Sequence, residues 1–147
     1  MDDFKKKIYL AREGDAEGLE VGFPKYNYWI NQWQKGTITV IAAAPKSFKS
    51  KFVDFNYVLA PYLKNLSSKK YDVDIDYYSF EMSRIKKMAD WTASFFWLDY
   101  KLNYDADSVM FKGKKFIKDE HLPLLEKIID TRLVPLVGKY DEYGSKT

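Results

Sequence analysis

The chain has no cysteine and a single histidine, His121. The first absence excludes disulfides and thiolate metal sites, and the second excludes a histidine triad or a metal centre built on several histidines. Beside Leu122 and Pro123, at an expected helix start, a lone histidine reads as a surface or capping residue sooner than as a catalytic one. Apolar runs of membrane-spanning length are also missing, and the N-terminal MDDFKKK is not followed by a signal-peptide core. A cytosolic protein without membrane association is expected. Charge of one sign is scarce too. The 24 basic and 21 acidic residues leave a net +3, too mild to demand a nucleic-acid partner. The lysine clusters at 5–7, 69–70 and 112–115 are of the kind that usually form solvated surface.

What is present is apolar and aromatic. A hydrophobic fraction of 46% with 18% aromatics excludes a disordered chain, and 147 residues are enough for one domain with a real core. Residues 2–13 carry Phe4, Ile8 and Ala11 at helical spacing behind Asp2 as a cap. This segment reads either as a frayed terminus or as an arm that docks on a neighbouring subunit. Residues 1–17 are therefore expected to form an arm or linker helix, and 18–147 the domain proper.

Within that domain, Trp29, Ile30 and Trp33 suggest a helical turn or two ahead of Gly36. Residues 37–42 are nearly continuous in strand formers, as expected of a strand covered on both faces. Phe52, Phe55, Asn56, Leu59, Tyr62, Leu63 and Leu66 then recur at helical spacing, and Pro61 should kink or shorten that helix. Residues 65–71 read as a polar turn and 73–80 as a second strand. A helix over about 83–102 has Ile85, Ala89, Thr92, Phe96 and Leu98 as inward candidates. After a loop at 103–113, a third helix is expected over about 119–131, with Pro123 in its first turn, and a third strand over 133–137. The β-α-β-α-α-β order predicts an α/β fold with a largely parallel sheet.

The chemistry concentrates at the first strand–helix junction. Residues 36–56 read GTITVIAAAPKSFKSKFVDFN, a strand, a tight loop, Lys49-Ser50 and a helix. This is the layout of a phosphate-binding P-loop, where backbone N–H groups wrap a phosphate at a positive helix end. In that motif the lysine meets the β- and γ-phosphates and the hydroxyl ligates magnesium. Ala43 and Phe48 stand where the motif has glycines. Phe48 matters more, since positive φ in a bulky residue costs about 1–2 kcal/mol. The local pattern is equally compatible with a plain α/β turn. Glu81, at the carboxyl end of the second expected strand, is suited to orient and deprotonate a water attacking a γ-phosphate. Its alternative is a first-turn helix carboxylate facing the macrodipole.

Taken together, GLEVGF at 18–23, W-x-K-G at 33–36, ITVIAAAP at 38–45, K-S at 49–50 with F-x-x-x-N at 52–56, and YSFEMS at 78–83 resemble the RecA-like ATPase domain of DnaB-type replicative helicases, particularly phage-encoded ones. The resemblance covers about residues 18–140. It implies a RecA-like P-loop NTPase fold that is incomplete, with three central strands. It also implies ATP and Mg2+ as cofactors, a phosphate cradle of Ala44, Pro45, Lys46, Ser47 and Phe48, phosphate contact by Lys49, magnesium at Ser50, and Glu81 as the catalytic carboxylate. In the family context it implies a homo-oligomeric hexameric ring moving on single-stranded DNA in the host cytoplasm. Phe48 replaces the glycine before the lysine, and Ala44 replaces the family's arginine. The chain also stops before the family's magnesium-binding aspartate strand, DNA-binding loops and arginine finger, so ATP binding is expected of this chain and unwinding is not. The alternatives are a degenerate P-loop interaction module docking on a helicase or replisome, through an aromatic patch drawn from Trp29, Trp33, Trp91 and Trp97, and another RecA-like ATPase of the recombinase or clock type.

Overall fold

The computed structural model describes residues 1–13, 18–30, 32–68, 73–110 and 116–138. The chain divides into two compact units, Met1–Ile75 and Asp76–Thr147. Both are predominantly helical among the described residues.

In the first unit, the helix Asp2–Arg12 buries none of its side chains. Phe4 and Ile8 lie one turn apart and exposed, as their spacing dictates. Two short strands, Gly18–Leu19 and Trp33–Gln34, pair antiparallel in the register Gly18↔Gln34 and Leu19↔Trp33. The helix Pro24–Ile30 lies between them in sequence and opens on a proline, which the first helical turn tolerates. Asn27 anchors it. Its Oδ1 accepts from Val21 N at 2.7 Å and its Nδ2 donates to Val21 O at 2.8 Å, satisfying both backbone groups of a fully buried residue.

The long helix of this unit runs without a break through Lys49–Val53, a π-helical stretch Asp54–Leu59, and Ala60–Ser68. Its buried residues are Asp54 and Asn56 to Pro61, with Leu59 only 1% exposed. Pro61 does not end the helix. A proline is disruptive because it removes one backbone bond and crowds the preceding turn. Here the turn before it is already widened into the π register, where Ala60 N donates to Phe55 O. Tyr57 is held by its hydroxyl to Tyr26 at 3.0 Å and packed edge-on against Trp33. Burial above all, then the Tyr26 hydroxyl, pushes the Tyr57 phenol well above its ordinary range, with a hydrogen bond from Thr39 acting the other way. Tyr57 therefore remains a neutral phenol.

The second unit is built on the helix Arg84–Tyr100. Ser83 caps its N-terminus by accepting from Lys86 N, and Lys101 closes it in the left-handed region at φ 58°. Ala89, Thr92 and Phe96 are buried as their spacing predicts, together with Trp91, Ala93 and Phe95, while Ile85 is exposed. A short helix, Ala106–Val109, follows, capped by Asp105 accepting from Ser108 N at 2.7 Å. The last helix comprises a turn at Asp119–His121, then Leu122–Ile128, a π-helical stretch Ile129–Leu133, and Val134–Val137. Arg132 grips Asp99 with two hydrogen bonds of 3.0 and 3.2 Å. Tyr104 shares a hydrogen bond of 2.7 Å with His121 Nδ1, which places the lone histidine in a packing role.

The expected parallel α/β sheet is not present among the described residues, where the two-residue antiparallel pair is the sole sheet. Residues 37–44 lie in neither a helix nor a sheet among the described residues, and Ile38 and Val40 are 93% and 84% exposed. Residues 73–79 likewise lie in neither a helix nor a sheet among the described residues, with Tyr78 exposed. β-Branched residues favour an extended backbone, yet a sheet needs a hydrogen-bonded partner for each strand, and here neither segment has one. The third expected strand, 133–137, is helical instead. Its short apolar run suits a buried strand or a buried helix equally, and Pro135 sits in the turn that follows a π-helical widening. Residues 65–68 of the expected turn are helical instead, since the helix extends to Ser68, and residues 69–72 lie outside the described residues. So do 111–115 and the polar end of the chain.

Two substitutions separate the core from the unpaired segment. Phe96→Ala, at a fully buried site, should cost about 3–5 kcal/mol of stability in urea unfolding. Val40→Lys should shift stability by less than about 0.5 kcal/mol. A large loss in the second variant would show that residue 40 is buried in a sheet after all.

Candidate phosphate-binding loop

The loop directly ahead of the long helix has an unusual backbone. Lys46 and Phe48 both lie in the left-handed region, at φ 62° and 59°. Neither residue type favours it, because a Cβ crowds the following carbonyl there. Phe48 is the residue before Lys49, where the motif has glycine, so the structure adopts at Phe48 the left-handed conformation that the sequence made costly. Left-handed residues alternating with ordinary ones turn successive N–H groups to one side of the chain, making an anion-binding concavity. The loop is tightened by Ala44, whose carbonyl accepts from Ser47 N at 3.3 Å and from Ser47 Oγ at 2.5 Å. Phe52 N donates to Phe48 O at 2.9 Å, starting the helix directly behind the loop.

Phe48 supplies no side-chain cap to the helix. The first-turn N–H groups therefore face the loop rather than a capping oxygen. Residues Ala44, Pro45, Lys46, Ser47, Phe48, Lys49 and Ser50 are all exposed. The Phe48 ring is 79% exposed, so it stands in solvent and does not fill the concavity. Pro45 has no N–H and that of Ser47 is used by Ala44 O, so the donors of the kind a phosphate takes are the N–H groups of the first helical turn and the Lys49 ammonium. Were a nucleotide bound with Mg2+, Ser50, whose hydroxyl is exposed in the first helical turn, would be the residue of this loop suited to hold the metal.

Glu81 belongs to the second unit. It is exposed in a bend two residues ahead of the Ser83 cap, and so it is neither at the end of a paired strand nor in the first turn of a helix. Met82 N donates to Ser79 Oγ in the same bend. The structure thus brings the loop, Lys49 and Ser50 together within one unit, and neither unit by itself contains both these residues and the carboxylate. Of the four tryptophans, Trp91 is buried and Trp33 half-buried, while Trp29 and Trp97 are 79% and 54% exposed. The left-handed backbone at Lys46 had no signal in the sequence, since lysine has no special preference for that region.

No family model, no curated protein and no solved structure matches this chain.

The strain at Phe48 is measurable. Phe48→Gly should raise stability by about 1 kcal/mol in denaturant unfolding, because glycine adopts the left-handed region freely. Phe48→Val should lower it. Equal stabilities for glycine and valine at this position would contradict the backbone described.

Proposed function

We propose that the loop 43–50 binds the phosphates of a nucleoside triphosphate, with ATP and Mg2+ as its ligands. The observation that supports this reading is the pair of left-handed non-glycine residues, Lys46 and Phe48, directly before Lys49 and the long helix. Strained backbone of this kind collects at functional sites because the surrounding structure has to hold it in place. A nucleoside triphosphate is favoured over bare phosphate by the motif likeness to DnaB-type helicases, in which the same loop serves an ATP-driven motor on single-stranded DNA. Lys49 neutralises the β- and γ-phosphates in this reading, and Ser50 holds the magnesium. Glu81 is the residue proposed to activate water. Binding is assigned to the first unit alone and does not depend on a sheet. A place in a hexameric ring on single-stranded DNA belongs to the same motif-based proposal.

A second reading, a P-loop-derived interaction module that docks without hydrolysis, draws support from one helix face. Lys25, Tyr28 and Trp29 lie at i, i+3 and i+4 on the helix Pro24–Ile30, all three exposed and the two rings 5.7 Å apart. Exposed Trp and Tyr in one patch are typical of interface anchors.

Titration calorimetry separates the two. The first reading expects ATP binding that requires magnesium and is abolished by Lys49→Ala. A folded wild-type chain that takes up no nucleotide at millimolar concentration sinks it. The second expects association that depends on protein concentration, persists without nucleotide, is unchanged by Lys49→Ala, and weakens on Trp29→Ala.

A further inference from the structure

We infer that Asn56 is a positioning residue for the phosphate loop, tying the turn 21–23 to the helix that carries Lys49 and Ser50; this rests on the nucleotide-binding reading. Asn56 is fully buried and uses every kind of polar group it has. Its Oδ1 accepts from Phe23 N at 2.9 Å, its Nδ2 donates to Phe52 O at 3.0 Å, and its backbone carbonyl accepts from Gly22 N at 3.3 Å. The last bond follows from the π register. One step beyond the bond from Ala60 N to Phe55 O, the donor to Asn56 O would be residue 61, and that residue is a proline without an N–H. Gly22 fills the vacant place. It can approach because it has no side chain, since a Cβ there would stand 2.6 Å from the Phe55 ring.

The same asparagine reaches toward the loop. Phe52 receives the Asn56 amide at its carbonyl and donates its own N–H to Phe48 O. Residues 56, 52 and 48 are spaced four apart and so follow one face of the helix down to the strained residue. The Phe52 ring packs against Phe23 and Tyr26, with centroids 6.0 and 5.3 Å away, so the turn and the helix start are joined by side chains as well. A ligand that fixes the loop therefore also fixes the turn, and by reciprocity a loosened turn weakens the ligand.

Amide hydrogen exchange on the wild-type chain tests this directly. Saturating MgATP should slow exchange at Gly22 and Phe23 by about tenfold or more, with no comparable change along Arg84–Tyr100. In parallel, Asn56→Ala should weaken MgATP binding by about tenfold, the usual scale for loss of a group that orients a ligand-binding residue. Leu59→Ala, a buried change on the same helix that leaves these hydrogen bonds intact, should alter affinity by less than about threefold. Equal losses in the two variants would mean that Asn56 acts through stability alone, and the inference falls. If Asn56→Ala does not fold, the exchange measurement decides: nucleotide binding without protection at Gly22 and Phe23 overturns the positioning role and leaves the nucleotide reading standing. A folded wild-type chain that binds no nucleotide removes both.

Discussion

A buried amide side chain has to be matched at both ends, and in the first unit the matching of Asn56 determines where two distant stretches of chain lie. Each unpaired polar group left by its removal would carry a penalty of about 1–3 kcal/mol. The turn at 21–23 thus has little freedom relative to the long helix. Asn27 applies the same constraint to Val21 from the other side. With the segment held at both points, the pairing of Gly18–Leu19 with Trp33–Gln34 needs only two residues per strand. Such a pair would be marginal by itself. Its stability comes from the asparagines and from the aromatic contacts of Tyr57 beneath it.

The second unit is organised differently. Its polar ties, Asp99 with Arg132 and Tyr104 with His121, lie at partly exposed positions. Ion pairs in such settings contribute about 0–1 kcal/mol. Phe95, Phe96, Ile117 and Ile128, all essentially inaccessible, carry the larger share. The caps at Ser83 and Asp105 fix where the helices begin, and so the register in which those side chains meet. The polar groups set ends and the apolar groups set strength, the reverse of the balance around Asn56.

Helical spacing was the most legible part of the sequence. Phe52 to Leu66 and Ala89 to Phe96 predicted helices where helices are found, because a 3.6-residue period has one structural meaning over several turns. The π-helical stretches were not legible, since one extra residue in a turn is indistinguishable from an ordinary shift in the apolar stripe. Residues 37–42 and 73–80 were misread for a related reason. An extended conformation is local and β-branched side chains encode it, whereas a sheet is a relation between segments that no single segment records. At 133–137 even the local signal was ambiguous. Within the loop, Phe48 could be marked as strained only once a glycine position had been assumed there, and Lys46 gave no sign at all.

The division of the chain into two units bears on the candidate chemistry. Phosphate capture requires backbone N–H groups, a lysine and a hydroxyl, and these are consecutive in the chain, so local folding is enough to assemble them. Activation of water requires in addition a carboxylate held within hydrogen-bond reach of the attacking oxygen. That geometry is non-local. Lys49 and Ser50 are held by the helix behind them and, through Phe52 and Asn56, by the turn at 21–23. Glu81 belongs to the other unit, and in its own bend Met82 N donates to the Ser79 hydroxyl. In the proposed reading, binding and turnover would therefore rest on different constraints. In that reading, a change at Asn56 removes a support for the loop on which binding, and with it any later turnover, would depend.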